Sequence, residues 1–289
     1  MKENGLRTLG VLIVCLAIAA GLIAVTQNNS TQLFGYSTIV ICVVLAFVTQ
    51  WLVFIPSYLR QTERFYDITG SATFVLVTGV ALYSVSPTTA YQWIVAAMVV
   101  IWALRLGTFL FLRIHKDGKD DRFDKIKLNK YRFFVTWTIQ GLWVLITSGA
   151  AVTAIVSTNQ PQVDWITAAG LSLWVLGLLI EVVADIQKRR FKQNVNNSLP
   201  FITTGLWSYS RHPNYFGEIM LWVGVAIVAL PALSGWQYAV LISPLFVIFL
   251  LTKVSGIPLL EAKADKKWAK NTAYQDYKKR TPSLVPKVF

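Results

Sequence analysis

A polar motif interrupts the apolar C-terminal half of this sequence. Eight consecutive residues hold five side chains that could bind a ligand or transfer a proton: Arg211, His212, Asn214, Tyr215 and Glu218. A residue before proline avoids the α region, so the Arg-His pair is predicted to lie in a turn, and Pro213 suits the first position of a helix. Asn214 and Glu218 then share one helix face, beside backbone N–H groups that favour an anion. The motif predicts a polar ligand site at a helix N-terminus, with an interfacial anchor as the alternative.

A second set of polar side chains lies where another apolar run ends. Glu181, Asp185 and Arg189 are spaced by four residues, so a helix would place them on one face. Glu181 falls within the apolar run, where the weak gain from an ion pair cannot offset the cost of burying a charge. Two carboxylates on one stripe can accept hydrogen bonds from ribose hydroxyls or an amide, so this face is also predicted to bind a polar ligand.

Two further ionisable residues lie at the edges of apolar runs in the N-terminal half. Asp67 precedes an apolar run, close to Thr69 and Ser71, where a carboxyl group could act in acid–base chemistry or cap the helix. Arg105 lies two turns before Arg113, the last arginine of its run. A charge at that depth predicts either an inward-facing partner or a side chain that extends back to the cytoplasmic surface.

Membrane-spanning helices must position these residues, because the composition is not that of a soluble domain. Of the 289 residues, 55% are hydrophobic, and the mean hydropathy is +0.52. The first apolar run lacks a clear cleavage site, so it is predicted to be a span rather than a signal peptide. The sequence predicts an all-α, polytopic transmembrane helix bundle of about eight spans. The predicted spans are 8–26, 36–58, 70–87, 92–113, 134–156, 163–184, 214–232 and 236–255.

The 27 Lys and Arg residues predict the orientation of the bundle. The connections after the first, third, fifth and seventh predicted spans contain none of them, so the positive-inside rule places both termini in the cytoplasm. The net charge of +13 suits contact with anionic membrane lipids and needs no nucleic acid to explain it. We therefore expect an integral protein of the inner (cytoplasmic) membrane. Cys15 and Cys42 lie in apolar runs and are predicted to be buried thiols, and no metal site is predicted.

Five short segments form a set with a known counterpart. They are Glu63-Arg-Phe-Tyr-Asp-Ile-Thr-Gly-Ser71, Arg105-Leu-Gly-Thr108, Glu181-x3-Asp185-x-Gln-Lys188, Gly205-Leu-Trp-Ser-Tyr-Ser-Arg-His-Pro-Asn-Tyr-Phe-Gly-Glu218 and Ser255-Gly-Ile-Pro258. Together they resemble the bacterial DUF1295 family, which is related to the steroid 5-alpha-reductases and, more distantly, to the sterol reductases. The resemblance covers roughly residues 36–289. Arg-His-Pro-x-Tyr also occurs in isoprenylcysteine carboxyl methyltransferases, so that part alone indicates a fold and not a reaction.

The resemblance implies that NADPH binds in a cavity that opens to the cytoplasm between the later helices. Asn214, Glu218 and Asp185 match residues that contact the cofactor in the family. His212 and Tyr215 match residues of the sterol-reductase motif. The full set of predicted cofactor-binding residues is Arg105, Glu181, Asp185, Arg189, Arg211, His212, Asn214, Tyr215, Glu218 and Glu261.

The resemblance also implies catalytic residues. Asp67 aligns with a glutamate that the steroid reductases place at the substrate carbonyl. Two positions depart from the family pattern: Glu181 stands where those reductases carry Asn, and their catalytic tyrosine falls at Trp102. Tyr66 and Tyr83 are the candidates to replace that proton donor, and Tyr66 joins Asp67 in the predicted catalytic pair.

Three hypotheses for function follow. The first is an NADPH-dependent reductase that transfers hydride to the β-carbon of an activated C=C bond in a lipophilic substrate, which enters from the bilayer. An Asp67 with a raised pKa would polarise the substrate carbonyl by hydrogen bonding. The second is an S-adenosylmethionine-dependent methyltransferase on the same scaffold, which needs Glu261 but not Asp67 or Arg105. The third is a non-enzymatic lipid-binding protein. In the first hypothesis, residues 1–58 are scaffold spans and residues 59–289 form the reductase-like part, with the cofactor site within 181–261.

Overall fold

The computed structural model describes residues 2–118 and 120–287 of the chain. Its secondary structure is almost entirely helical, which confirms the predicted all-α class. The α-helices are α1 (Lys2–Thr26), α2 (Thr38–Leu59), α3 (Tyr66–Tyr83), α4 (Ala90–Asp117), α5 (Lys130–Val156), α6 (Trp165–Gln193), α7 (Pro213–Ala229), α8 (Ile242–Phe249), α9 (Ile257–Trp268) and α10 (Thr272–Arg280). A short antiparallel hairpin of β1 (Gln32–Leu33) and β2 (Tyr36–Ser37) connects α1 to α2.

Seven segments of the described chain are long and apolar enough to cross a membrane, as in an integral membrane protein. They are Gly5–Thr26, Thr38–Leu59, Ala90–Lys116, Lys130–Val156, Trp165–Gln193, Pro213–Ala232 and Gly235–Trp268. The third predicted span, 70–87, corresponds to α3, which is not among them. α3 has only 18 residues, and Asp67, Thr69, Ser71 and Thr73 make its first two turns polar.

The last predicted span, 236–255, is not one regular α-helix. A 3-10 segment, Gly235–Leu241, leads into the short helix α8, and a π-helical turn, Leu250–Val254, follows it. Pro244 lies at the third position of α8. Proline has no N–H to donate to the preceding turn, which explains why regular α-helix begins only at Ile242.

Local capping residues set several other helix starts. Thr89 and Gln92 form a reciprocal capping box at the start of α4. The side chain of Asn129 accepts hydrogen bonds from the N–H groups of Tyr131 and Arg132 at the start of α5. Asn271 accepts one from Tyr274 at the start of α10. These caps satisfy N–H groups that have no partner within the helix.

The chain forms two compact units. The first unit consists of Met1–Thr167 and Val228–Ser243, and the second of Ala168–Ile227 and Pro244–Phe289. The predicted boundary after residue 58 separates scaffold from reductase function, and it stays a prediction.

The first unit is built around α5, most of which is buried. Its interior combines large aromatic side chains with hydrogen-bonded polar ones. Trp102 and Phe74 meet edge to face with ring centroids 5.2 Å apart, and Gln50 Nε2 donates to Thr73 Oγ1 over 2.9 Å. Cys15 and Cys42 are both buried and free, which confirms the prediction of thiols in the core.

Candidate functional site

In the second unit, α6 and α7 approach so closely that only glycine fits between them. A Cβ on Gly217 would lie 2.5 Å from the Gly177 carbonyl oxygen and 2.7 Å from the backbone nitrogen of Glu181. A Cβ on Gly177 would lie 2.6 Å from the Gly217 carbonyl oxygen. The two backbones therefore run in contact just before Glu218, and buried Glu181 lies at this junction.

The predicted turn and helix start at the polar motif are present. α7 begins at Pro213, as the sequence predicted, and Arg211 lies just outside it. The Arg211 N–H donates to the Pro282 carbonyl over 2.9 Å, and Arg211 Nη1 donates to the Lys278 carbonyl over 2.8 Å. Arg211 is therefore fixed by the C-terminal tail, residues 269–287, and its predicted role in cofactor binding stays a prediction.

His212 and Glu261 form the central contact of the motif. His212 Nε2 lies 2.9 Å from Glu261 Oε1, and Arg211 Nε lies 3.2 Å from the same oxygen. The imidazole is buried and stacks against Tyr215, with ring centroids 5.7 Å apart and planes at 10°. Gly256 brings the chain before α9 against this ring, since a Cβ there would lie 2.9 Å from Tyr215 Cε2.

The protonation of His212 follows from these surroundings. Burial lowers the pKa of His212, and although the hydrogen bond and charge of Glu261 oppose that effect, the net pKa is below the ordinary value. The imidazole is therefore neutral near pH 7 and carries one ring proton. A carboxylate accepts only, so the proton is assigned to Nε2 and Nδ1 is left as an acceptor. Within the described chain, buried Nδ1 has no hydrogen-bond partner.

The stripe on α6 faces the start of α7. Asn214 Nδ2 donates to Asp185 Oδ1 over 3.3 Å, so two of the predicted cofactor residues are brought together. Gln187, on the same helix, accepts a hydrogen bond from the Leu206 N–H over 3.0 Å. Arg189 is exposed and Glu218 is half-buried. The cofactor roles of these residues stay predictions.

The C-terminal tail supplies residues that sequence reasoning missed. Tyr277 donates to the Trp207 carbonyl over 2.6 Å. Lys278 Nζ lies 3.5 Å from Glu261 Oε2 and 2.6 Å from Asp265 Oδ1. These contacts pack the tail against its own unit. The spacing of Tyr274 and Tyr277, three residues apart in α10, was the available signal, since both are buried on one face.

In the first unit, Asp67 lies in the first turn of α3 without acting as its cap. The cap position is Phe65, and no side-chain cap hydrogen bond forms there. Instead, Asp67 Oδ2 lies 3.5 Å from Arg113 Nη2. Burial raises the pKa of Asp67, and Arg122 and Arg113 oppose the rise without cancelling it. The pKa thus moves in the direction that the catalytic hypothesis requires.

A charged loop between α4 and α5 surrounds this carboxyl group. Asp120 accepts hydrogen bonds from Arg122 and lies 3.9 Å from Arg113. Glu63 is buried and accepts from Lys127 Nζ over 2.7 Å and from the Asp120 N–H over 3.0 Å. Burial alone would raise the pKa of Glu63, but these two donors outweigh it and hold the pKa below its ordinary value.

The tyrosine candidates for proton donation differ sharply in position. Tyr66 is next to Asp67 in the chain, and its hydroxyl donates to the Thr136 carbonyl over 3.2 Å. Tyr83 ends α3 and is 74% exposed. It is 16 residues after Asp67, about 24 Å along the helix axis, so it cannot act beside that carboxyl group. Trp102 is fully buried against Phe74.

Arg105 lies in α4 and is half-buried. Its guanidinium carbon is 5.7 Å from the centroid of the Phe109 ring, one turn along the same helix. Gly107 allows α3 and α4 to approach near this point, because a Cβ there would lie 2.8 Å from Ser71 Oγ. The assignment of Arg105 to the cofactor stays a prediction. No cluster of three metal-ligating side chains occurs in the described ranges.

Comparison with known proteins identifies distant relatives with different names, among them two steroid reductases and a methyltransferase. 3-Oxo-5-alpha-steroid 4-dehydrogenase 1 of Rattus norvegicus is 28% identical over 130 residues, which cover 44% of this chain and 45% of the rat protein. Steroid 5-alpha-reductase DET2 of Gossypium hirsutum is 29% identical over 131 residues, or 45% and 46% of the two chains. Protein-S-isoprenylcysteine O-methyltransferase of Rattus norvegicus is 25% identical over 130 residues, or 43% of each chain.

The chain thus spans less than half the length of each of these three relatives. No solved structure matches the chain. A family model described as "Protein of unknown function (DUF1295)" matches residues 53–281. Because that match covers well over half of the sequence and includes all five segments of the resemblance, the chain belongs to the DUF1295 family.

Proposed function

We propose that this protein is a membrane-embedded, NADPH-dependent reductase of an activated C=C bond in a lipid or steroid-type substrate. Two of the relatives are named as a 3-oxo-5-alpha-steroid 4-dehydrogenase and a steroid 5-alpha-reductase, which supports an oxidoreductase. The apolar surface of the spans suits a substrate that enters from the bilayer, and the proposed location is a bacterial inner membrane.

The observation that carries the cofactor proposal is the neutral imidazole of His212. Its Nε2 is engaged by Glu261, while buried Nδ1 has no partner within the described residues. An acceptor in that state calls for a ligand that donates a hydrogen bond, because a buried polar atom without a partner costs about 1–3 kcal/mol. Ribose hydroxyls and carboxamide N–H groups are such donors, and NADPH has both, so the residues present fit this cofactor.

The surrounding residues have complementary tasks. Asn214 and Asp185 present an amide and a carboxylate that can bind hydroxyl or amide groups. Lys188, whose ammonium lies 4.6 Å from the centroid of the Trp207 ring, and Arg211 supply positive charge for phosphates. When bound, NADPH would supply the hydride. The chain itself contributes position and electrostatics.

Asp67 is proposed to act on the substrate. The raised pKa of Asp67 favours its protonated form, and in that form the carboxyl group can donate a hydrogen bond to a substrate carbonyl, which makes the conjugated β-carbon more electrophilic. Arg113, 3.5 Å away, opposes protonation and fixes the orientation of the carboxyl group. Tyr66 is the second candidate donor, and its hydroxyl would have to leave the Thr136 carbonyl to which it now donates.

A methyltransferase is the second candidate, and one observation favours it. Glu261 is held by His212 and Arg211 at 2.9 and 3.2 Å, as a reaction dependent on the Arg-His pair and a C-terminal acid would require. One relative is named as a methyltransferase. That reaction gives Asp67 no role, whereas the reductase does.

Nucleotide-dependent melting of the purified protein tests the proposal. NADPH at about 100 times its dissociation constant should stabilise the wild type by about 2.7 kcal/mol, and S-adenosylmethionine should not. Asn214→Ala should abolish the NADPH-induced rise in melting temperature without changing that of the apo protein. Asn159→Ala, at an exposed position of the first unit, is the matched control and should keep the rise. Stabilisation by S-adenosylmethionine alone would favour the methyltransferase, and stabilisation by neither would favour a lipid-binding protein.

A further inference from the structure

α9 forms the C-terminal end of the last apolar segment, Gly235–Trp268, and has two unlike sides. One side faces its own unit and holds Glu261, Ala264, Asp265 and Trp268, none of which is exposed. The other side is open: Leu259 is 50% and Leu260 37% exposed. The exposed lysines on this side, with Lys270 just past the helix end, are Lys263, Lys266, Lys267 and Lys270. The lysines follow Leu259 by four, seven, eight and eleven residues, a spacing that places these side chains on one face. We call this set the α9 outer face.

The acidic groups of α9 are turned away from the outer face and used internally. Asp265 accepts from Lys278 over 2.6 and 2.7 Å and from the Tyr274 hydroxyl over 2.9 Å. Glu261 is engaged by His212 and Arg211. None of the ion pairs recorded for the described residues involves Lys266, Lys267 or Lys270. Within the described residues, Lys266, Lys267 and Lys270 therefore give the outer face positive charge that no carboxylate of α9 neutralises.

An aromatic cluster holds this face in place. Trp268, at the end of α9, packs against Phe201 and Tyr274 with ring centroids 5.2 and 5.5 Å apart. Tyr277 stacks on Phe201 at 5.9 Å. Since α9 is fixed by these contacts, the lysines stand on a preformed surface, and binding to it requires little further ordering of the backbone.

We propose that the α9 outer face binds anionic phospholipids. Leu259 and Leu260 come first along the chain, next to the apolar segment, and would contact acyl chains. The lysines follow within the next three turns, at the level where headgroup phosphates begin. Lysine suits this role because its stem can lie along apolar surface while its ammonium reaches a phosphate. A basic cluster at the end of a candidate membrane span, preceded by leucines, is typical of a site that binds anionic lipids.

Native mass spectrometry of the full-length protein in a neutral detergent tests this inference. The protein is titrated with phosphatidylglycerol or with phosphatidylcholine, and retained lipids are counted. The wild type should retain phosphatidylglycerol preferentially. The triple variant K266Q/K267Q/K270Q should bind it about 100-fold more weakly, since each lysine near an anionic lipid contributes about fivefold. Phosphatidylcholine binding should not change.

A matched variant distinguishes a specific lipid site on α9 from general attraction of anionic lipid by exposed lysines. K116Q/K125Q/K130Q also removes three exposed lysines, and Lys130 lies over the Tyr131 ring at 5.0 Å much as Lys267 lies over Trp268 at 5.2 Å. This variant should retain phosphatidylglycerol within about twofold of the wild type. Equal loss in both triple variants, or no loss in the α9 variant, would overturn the inference. K266R/K267R/K270R keeps the charge and should retain the lipid.

Two further measurements show whether the α9 outer face binds the phosphate of a lipid headgroup or a free phosphate compound. Glycerol phosphate at the same concentration should not displace the lipid, and L259S/L260S should weaken lipid binding, because acyl contacts are part of the site. Displacement by glycerol phosphate would assign the face to free phosphates instead. The NADPH-induced melting shift should be the same in wild type and K266Q/K267Q/K270Q, so this result is independent of the proposed reductase activity.

Discussion

Asp67 and His212 each lie at the start of a helix, yet the two compact units surround them differently. In the first unit, the carboxyl group of Asp67 faces Arg113, which also lies near Asp120. In the second unit, the imidazole of His212 binds Glu261 through one nitrogen and leaves the other without a partner among described residues.

The difference concerns which groups remain available for a ligand. Around Asp67, the groups Arg113, Asp120 and Arg122 form a row of alternating charge in which each lies within 4 Å of the next. Opposite charges therefore largely neutralise one another, and each side chain holds its neighbour in position. The second unit retains a buried acceptor, His212 Nδ1, that has no partner among the described residues. We therefore expect substitutions in the first unit to change chemistry or stability, and those in the second unit to change cofactor binding.

Asp67→Asn should show the largest effect. Asparagine keeps the shape and the compatibility with a helix start, but it has no acidic proton. Turnover should fall by about 10²–10⁴-fold, while the NADPH-induced melting shift stays intact. The measurement is NADPH oxidation with any accepted enone. Asp276→Asn, an exposed change in α10, is the control. A rate close to that of the wild type would mean that Asp67 has a structural role only. It would also contradict the expectation that substitutions in the first unit change the chemistry.

Glu63→Gln should have the next largest effect, on stability. The amide keeps an acceptor for the Asp120 N–H but removes the charge that pairs with Lys127, whose side chain is only 19% exposed. Leaving that ammonium without its partner should lower the free energy of unfolding by about 3 kcal/mol. Thermal unfolding in detergent measures it. Glu63→Gln/Lys127→Gln should recover part of the loss, which a double-mutant cycle quantifies.

The contribution of the Glu63 carboxylate to the free energy of unfolding should depend on pH. Its pKa is lowered in the folded state, so its contribution is complete above the unfolded-state pKa of about 4.3 and is lost as pH falls through the lower folded-state value. The difference in melting temperature between wild type and Glu63→Gln should therefore be constant near pH 7 and shrink below about pH 4. If the difference in melting temperature is the same near pH 7 and below about pH 4, the ion pair between Glu63 and Lys127 contributes nothing to stability.

Sequence reasoning succeeded where the signal is local. Pro213 starts α7 because its fixed backbone suits the first helical position. α6 is one continuous helix from Trp165 to Gln193, so Glu181, Asp185 and Arg189 lie on one helix face as predicted. Both inferences needed only periodicity and the stereochemistry of proline.

The partners of these residues could not be predicted, because they lie far along the chain. The carbonyl group of Lys278 is 67 positions from Arg211, and Lys127 is 64 positions from Glu63. No periodic pattern connects residues at such separations, so only the folded chain identifies them. The capping role considered for Asp67 failed for a related reason: Arg113, a residue of another helix, engages the carboxyl group.

Tyr277→Phe should show the smallest effect, and it tests whether the tail belongs to the site of the second unit. The Tyr277 hydroxyl donates to the Trp207 carbonyl over 2.6 Å, and Trp207 lies five residues before His212. Removing this donor leaves a buried carbonyl without that bond and should lower the free energy of unfolding by about 1 kcal/mol. Because the same bond ties the tail to the motif, NADPH affinity should fall by a few-fold as well. Tyr131→Phe, a change at the 37% exposed tyrosine of α5, should alter neither quantity. If Tyr277→Phe lowers stability but leaves NADPH affinity unchanged, the tail only supports the fold, and the cofactor contacts lie within α6 and α7 alone.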